Sequence, residues 1–472
     1  MTINELKKEK IAILGLSKEG ISSGEFLFRH KIPFSILEQQ SQKELGKNFD
    51  YITKWKMPYF LGKDHLKHLF EFTFILRAPG VPLFLPEIVK AKQKGIKISS
   101  SVKLFMELVP TKNIIGVTGT KGKGTTCKLI ESVLKADKKE VFVGGNIGVP
   151  PLDFLEKVKV KSYVVLELSS FQLEDFEKSP YIAVILGIAP DHLAPESAKA
   201  PNYHKSMKDY LEAKKQLVKS QNKNDFIVTK ENDQLSKTIG EVSKGQQYFY
   251  SIMGEVARGA FVSGTKLKVK NEKVTEIGDI NEVKLRGRHH LENICAALSV
   301  CSLLDCATKS LRKGLFEFMG YEHRLEFVNQ VSDVSYYDDS AATNPEPVIA
   351  AIDAFDEPLI VILGGSDKGQ DYTKLGEKII NSTVKVAYLI GDMADKIEAS
   401  ILSAQKKEKL NRSFRIIRAG YPEMSKIISD CISFSEKGDV ILLSPACASF
   451  DMYENYRQRG DLFKKGINLI LE

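Results

Sequence analysis

One glycine-rich run bears chemistry more plainly than any other part of this chain: Gly116-Val117-Thr118-Gly119-Thr120-Lys121-Gly122-Lys123-Gly124-Thr125-Thr126. It follows a short apolar stretch and precedes a helical pattern. Closely spaced glycines let backbone N–H groups turn inward around phosphate oxygens, and a helix N-terminus behind them adds favourable partial charge. Lys123 supplies a point charge suited to β- and γ-phosphates. The candidate nucleotide contacts are therefore Gly119, Thr120, Lys121, Gly122, Lys123, Gly124, Thr125 and Thr126. The longer G-x-x-x-x-G-K-[ST] pattern is not met, because it asks for glycine at Val117 and a hydroxyl at Gly124. The loop is the short G-x-x-G-K form. Alone, it does not separate a kinase, a GTPase and a ligase.

A phosphate loop calls for a divalent cation with oxygen ligands. Glu167, at the end of the strand pattern Ser162–Leu168, is a plausible ligand. On their own types, His192 reads as a surface or core histidine, Lys214 as one of many solvated helix lysines, Arg324 as a surface ion pair and Tyr456 as core packing. The six cysteines (Cys127, Cys295, Cys301, Cys306, Cys431 and Cys447) contain no C-x-x-C pair. They suggest neither a zinc site nor a disulfide framework, which fits a reducing, cytoplasmic setting.

Alternating strand and helix patterns must position these residues. Lys10–Leu16, the helical Gly20–Leu27 and Phe34–Leu37, which runs into Glu38, form a βαβ unit without the G-x-G-x-x-G fingerprint. A second unit opens at Asn113–Thr118, continues through strands at Ser162–Leu168 and Ile182–Ile188, and ends after the helix His290–Leu304. Within it Glu255–Lys284 reads as short strands with turns. A third unit begins near Phe316 and has strands at Leu359–Leu363, Val386–Ile390 and Asp439–Leu443. The expected architecture is α/β in three domains: 1–106 Rossmann-like, 107–318 P-loop ATPase-like, and 319–472 Rossmann-like. With 472 residues, 43% hydrophobic and 27% charged, the chain has material for a core in each. Its net charge of +8 is small for this length, and no basic run with interleaved aromatics points to nucleic acid. The longest apolar stretch, Tyr181–Ala189, is too short to span a bilayer, and the charged start Met1–Lys8 lacks a signal-peptide core.

Further segments carry a resemblance. Gly144-Gly145-Asn146-Ile147-Gly148 is followed by Glu167-Leu168-Ser169-Ser170-Phe171-Gln172-Leu173, Asp191-His192, Gly287-Arg288-His289-His290-Leu291-Glu292-Asn293 and Glu322-His323-Arg324-Leu325-Glu326. Then come Asp339-Ser340, Ala342-Thr343-Asn344, Gly364-Gly365-Ser366-Asp367-Lys368 and Ser444-Pro445-Ala446-Cys447-Ala448-Ser449-Phe450-Asp451. In this order, from about Gly15 to Phe463, the series resembles the Mur ligase family, in particular its D-glutamate-adding members. The resemblance implies a cytoplasmic ATP-dependent ligase of peptidoglycan synthesis, with D-glutamate and UDP-N-acetylmuramoyl-L-alanine as substrates and an acyl phosphate between them; a monomer is the simpler expectation.

It also implies roles. Glu167, His192 and Lys214 would hold Mg²⁺, two ions being expected, with Lys214 carbamylated and Thr125 taking over, by a small shift, from the hydroxyl missing at Gly124; the neighbouring Lys215 leaves the register open by one. Lys123, His192, Lys214 and Asn146 would be catalytic, Asn146 lying near the reacting carboxylate. Asn293, Arg324 and Asp339 would hold ATP. Thr343, Lys368, Ser449 and Tyr456 would hold D-glutamate. Ser17, Glu38 and Gln39, with Asn146, would hold the UDP sugar. Five departures stand out: Lys121 for Asn, Gly124 for a hydroxyl, Ala341 for a lysine, Gly187 for Asn, and Ser99–Leu104 for an acidic segment. Gly124 and Ala341 touch the expected catalytic centre, so a catalytically impaired nucleotide- or UDP-sugar-binding homologue is the alternative. A related amide ligase such as a folylpolyglutamate synthase is another, and the Ser444–Asp451 segment speaks against it.

Overall fold

The computed structural model describes residues 1–146, 148–193, 202–408, 414–419 and 423–469. Among the described residues the chain forms three sheets, with helices between most successive parallel strands. The α/β architecture in three modules is thus the observed one. The first sheet has five parallel strands in the order Tyr59–Leu61, Phe34–Glu38, Ile11–Leu14, Phe74–Arg77, Lys97–Ser99. Its central strand Ile11–Leu14 is buried throughout, as expected of a parallel strand covered on both faces.

The second sheet has nine strands. Its parallel part runs Gln246–Ser251, Phe226–Lys230, Ile182–Ile185, Ile114–Thr118, Tyr163–Glu167, Val141–Gly145. Residues 255–284, expected as short strands, add Gly259–Ser263, Lys266–Lys270 and Val274–Asp279 at one edge; the last two extend it antiparallel. The third sheet has six strands in the order Glu326–Val331, Val334–Asp338, Val440–Leu443, Leu359–Gly364, Val384–Ile390, Arg415–Arg418. The first two make a hairpin whose two turn residues, Ser332 and Asp333, both have positive φ, as a tight hairpin turn requires.

The chain divides into two compact bodies: 1–280 with 292–315, and 281–291 with 316–472. The first two modules therefore share one body. The reason is a common core: Ile13, Phe26 and Phe105 belong to the same buried cluster as Leu166, Leu173 and Ile185. The amphipathic helix Ser101–Leu108, N-capped by the Ser100 hydroxyl, contributes Leu104 and Phe105 to that cluster. No described helix is long and apolar enough to cross a membrane.

Candidate active site

Parallel strands deliver their C-terminal ends to one edge of a sheet, and the loops that follow form the crevice where ligands bind. In the second sheet, Ile114–Thr118 lies between Tyr163–Glu167 and Ile182–Ile185. Its C-terminal end therefore sets the glycine-rich loop beside Glu167 and beside the segment leading to His192. Val141–Gly145 pairs with Tyr163–Glu167, which places Asn146 next to Glu167. Asn146 Nδ2 donates to Glu167 Oε1 at 3.0 Å, and its backbone N–H donates to the Glu167 carbonyl at 2.8 Å. Glu167 itself is buried.

The loop leads into the helix Lys123–Ala136, whose N-cap Gly122 sits at φ 86°. A Cβ there would lie 2.2 Å from Asn293 Oδ1, so glycine is required on both conformational and steric grounds. Asn293, on the helix Arg288–Leu303, also accepts from Thr126 Oγ1 at 3.4 Å. Lys123 Nζ donates to the Gly119 and Thr120 carbonyls at 3.1 and 2.9 Å. Thr120 Oγ1 donates to the Ala189 carbonyl and meets the Tyr210 hydroxyl, both at 3.0 Å. Lys121 is exposed on the loop, while Gly124 and Thr125 lie in the first turn of the helix.

Lys214 departs furthest from the behaviour expected of its residue type. Only 1% of it is exposed. Its Nζ donates to Thr118 Oγ1 at 3.2 Å and to the Gly119 carbonyl at 3.0 Å, and it lies 4.5 Å from the Tyr210 ring centre. Burial, and next the Lys123 charge, take its pKa down to about 7. The solvated-lysine reading on composition is therefore overturned, because the helix Met207–Lys215 turns this residue under the phosphate loop. Lys215, by contrast, pairs with Glu212 on its own helix at 2.7 Å.

His192 has positive φ, pairs with Asp191 at 3.6 Å and packs its ring 5.1 Å from that of Phe171. The same Phe171 ring also stacks on that of His204, which bonds Ser170 Oγ at 2.8 Å. Burial, followed by the Lys214 charge, lowers the His204 pKa to about 4 and keeps it neutral.

The first sheet ends in a separate cluster. Glu38 accepts from the Leu16 N–H at 2.5 Å and from the Gln40 N–H at 2.8 Å. Ser17 caps the helix Lys18–Arg29 with no side-chain bond, and Gln39 is exposed. Arg77 joins this module to the next, and its type and neighbours in sequence gave no sign of it. Its Nη1 donates to the Val81 carbonyl at 2.6 Å and its Nη2 to the Phe171 carbonyl at 3.2 Å. Glu174 and Asp175 lie 3.9 and 3.8 Å away. Lys103, within the Ser99–Leu104 departure, reaches Asp175 at 3.6 Å and Glu177 at 3.1 Å. Removing one partner from a buried ion pair costs about 3–5 kcal/mol. Arg77→Met is expected to approach the lower end of that range in a urea melt, and an unchanged midpoint would remove Arg77 from the seam.

The second body assembles its own set at the C-terminal ends of its parallel strands. Asp339 accepts from Ser444 Oγ at 2.6 Å and from the Leu325 N–H at 3.1 Å. Burial raises its carboxyl to about 7, against those hydrogen bonds and the nearby charge of Arg324, which is exposed. Lys368 Nζ donates to Thr343 Oγ1 at 3.3 Å. Ser449 is buried, and Tyr456 opens the helix Tyr456–Leu469 with its ring edge-on to His323. Ala341 bonds its N–H to the His323 carbonyl at 2.9 Å.

Arg459, unexpected from its sequence, knits these loops together. It is fully buried, with Nε on Ser340 Oγ at 2.9 Å and Nη2 on the Ser340 and Cys447 carbonyls at 2.9 and 3.1 Å. Arg459→Met would leave these acceptors unpaired at roughly 1–3 kcal/mol each. The expected result is a large fall in the denaturation midpoint, with Arg459→Lys between it and the parent. Acid–histidine groupings suited to a cation, Glu322–His323–Asp461 and His323–Glu326–Asp338, also lie in this body. The Lys464 ammonium already neutralises Glu322, Glu326 and Asp461.

The expected residues thus fall into three sets, two on the first body and one on the second. A phosphate loop with a buried lysine and a strand-end carboxylate beside it defines a nucleotide-binding α/β protein. Comparison with known proteins narrows that class. The Mur ligase middle domain matches residues 117–301, the glutamate ligase domain of Mur ligases 323–447, and the MurD-like N-terminal domain of Mur ligases 9–100. A UDP-N-acetylmuramoylalanine–D-glutamate ligase from Clostridium tetani is 34% identical over 465 residues, covering 98% of this chain and 98% of that protein. One of the same name from Acetivibrio thermocellus is 33% identical, covering 99% and 97%. In fold, the chain is similar to MurF from Acinetobacter baumannii (TM-score 0.58, 13% identity, 99% and 98% covered). It is also similar to the UDP-N-acetylmuramate-alanine ligase MurC from Thermotoga maritima (TM-score 0.55, 19% identity, 98% and 100% covered). The chain belongs to the Mur ligase family, the ATP-dependent ligases of peptidoglycan precursor synthesis.

Proposed function

We propose that this chain joins the amine of D-glutamate to the free carboxylate of UDP-N-acetylmuramoyl-L-alanine in the cytoplasm, with ATP and through an acyl phosphate. The full-length likeness to ligases of that name supports the substrates. The observation that carries the chemistry is the convergence of Lys123, Lys214, Glu167 and Asn146 at one strand edge.

In this reading the phosphate loop, Lys123 and Asn293 hold ATP, together with Arg324 and Asp339. Asn146, already bonded to Glu167, orients the substrate carboxylate. A carboxylate oxygen bonds to the γ-phosphorus as the bond to ADP breaks. The amine of D-glutamate then bonds to the acyl carbon and loses a proton, and phosphate leaves. Thr343, Lys368, Ser449 and Tyr456 bind D-glutamate, whose two carboxylates suit an ammonium and hydroxyls. Ser17, Glu38 and Gln39 face the UDP moiety at the end of the first sheet.

A buried carboxylate at a strand end, with a threonine hydroxyl in the adjacent helix, fits a hard cation such as Mg²⁺. Mg²⁺ would neutralise charge between two reacting anions. Glu167, Thr125 and His192 would hold it. Lys214 fits that role only as its carbamate, since an ammonium repels a cation. Its low pKa favours the neutral amine that adds to CO₂.

The test is phosphate release from ATP with UDP-N-acetylmuramoyl-L-alanine, D-glutamate and Mg²⁺. Release is expected only with all components, and its absence would overturn the proposal. A catalytically impaired homologue is the second reading, favoured by Gly124 and Ala341. It expects ligand binding without turnover, and activity created by Gly124→Ser with Ala341→Lys.

A further inference from the structure

The helix Arg288–Leu303 ends in a tight cap. Asp305 has positive φ; its N–H donates to the Ser302 carbonyl at 3.2 Å, and the Cys306 N–H donates to the Cys301 carbonyl at 3.1 Å. This is the paired bonding of a Schellman cap, which brings the side chains on either side of the turn together. Here those side chains are both cysteines. A carbonyl and an amide joined this way hold their Cα atoms about 5–6 Å apart, the separation disulfides use.

The neighbours of the pair supply the asymmetry that thiol oxidation needs. Lys139 Nζ lies 3.3 Å from Cys306 Sγ and is held there by Asp137 at 2.6 Å and the Leu304 carbonyl at 3.1 Å. Asp137 in turn accepts from the Ala307 N–H at 3.2 Å, which ties the lysine to the turn itself. Cys306 is 7% exposed and Cys301 fully buried.

We propose that Cys301 and Cys306 are a thiol-oxidation site at which a hydroperoxide converts the pair to a disulfide, Cys306 attacking first and Cys301 resolving. The Cys306 thiolate takes one peroxide oxygen, giving a sulfenic acid and hydroxide. The Cys301 sulfur then bonds to Cys306 Sγ and expels the sulfenic oxygen. In total two thiols and one hydrogen peroxide give one disulfide and two waters, the thiols losing two electrons. The Cys301 thiol hydrogen-bonds to Cys306 and holds the latter below its ordinary pKa, with help from the Lys139 charge and against burial. Burial, the first cause in each case, pushes Cys127, Cys295, Cys301, Cys431 and Cys447 up. The other four cysteines are therefore internal controls.

The experiment is a hydrogen peroxide time course on the full chain, stopped with iodoacetamide and read by non-reducing peptide mass spectrometry. The 301–306 disulfide is expected to form at least about tenfold faster than any oxidation at Cys127, Cys295, Cys431 or Cys447. In Cys301→Ser, Cys306 is expected to accumulate as a dimedone-trapped sulfenic acid, and Lys139→Met should slow its formation several-fold. If either variant fails to fold, iodoacetamide labelling of the native parent serves instead, with Cys306 expected to lead. Oxidation or labelling of Cys306 no faster than of Cys447, or a Cys306 oxidised without any link to Cys301, overturns the proposal.

Discussion

Lys123→Met is expected to lower the rate of ATP-dependent phosphate release about a thousandfold, the effect of removing one preorganised charge from a phosphoryl-transfer site. The residue sits at the first position of its helix, and its ammonium is held over the loop by the Gly119 and Thr120 carbonyls. Those two bonds pre-position the charge before any nucleotide arrives. Removing them costs only about 1 kcal/mol of stability, because the Gly119 carbonyl keeps its bond from Lys214 Nζ. A denaturant midpoint near that of the parent, beside a collapsed rate, is therefore the expected pair of results. Lys123→Arg is not expected to rescue, since a planar fork replaces a compact point charge in a loop shaped around it. A rate within tenfold of the parent would show that Lys123 does not face the transferring phosphate.

Lys214 carries the second large effect. Lys214→Ala should lose about a hundred- to a thousandfold in rate if its carbamate helps to hold the cation. The amine is neutral above about pH 7 and protonated below. Activity should therefore fall after dialysis against CO₂-free buffer near pH 6.5 and return with bicarbonate at pH 8. The unmodified lysine also leaves a stability signature. Its folded pKa lies below the ordinary 10.5, so between about 7 and 10.5 the unfolded chain binds more protons. Stability of the unmodified protein should then rise with pH through that window, by at most about 1.4 kcal/mol per pH unit. Below pH 7 both states are protonated and the slope vanishes. Indifference of the rate to bicarbonate, with no added mass on the peptide containing Lys214, would count against the carbamate.

Local features were legible in the sequence, and cooperative ones were not. The strand, glycine turn and helix around Gly119–Thr126 could be read because each signal lies within a dozen residues. Glu167 was readable because it ends an apolar strand. Glu255–Lys284 was readable as strands from its alternation and turns. Arg77 was not, because its partner carbonyl on Phe171 lies 94 residues away. Arg459 was not, because a fully buried arginine that bonds a hydroxyl and backbone carbonyls has no sequence signature; Ser340 lies 119 residues before it. Tyr210 and His204 were overlooked for the same reason, although they shape the pocket around Lys214.

Alternation of apolar strands and amphipathic helices determined, by itself, that this chain would build largely parallel sheets, and glycine spacing determined where one of them would turn tightly from strand to helix. Tertiary structure alone decided that Lys214 would be buried and close to neutrality, that Arg77 would bind the first module to the second, and that Lys139 would reach Cys306 from 167 residues away. The physical reason is one of range. Backbone preferences act over a few residues, whereas desolvation and charge pairing depend on whatever distant surface the fold brings against a side chain.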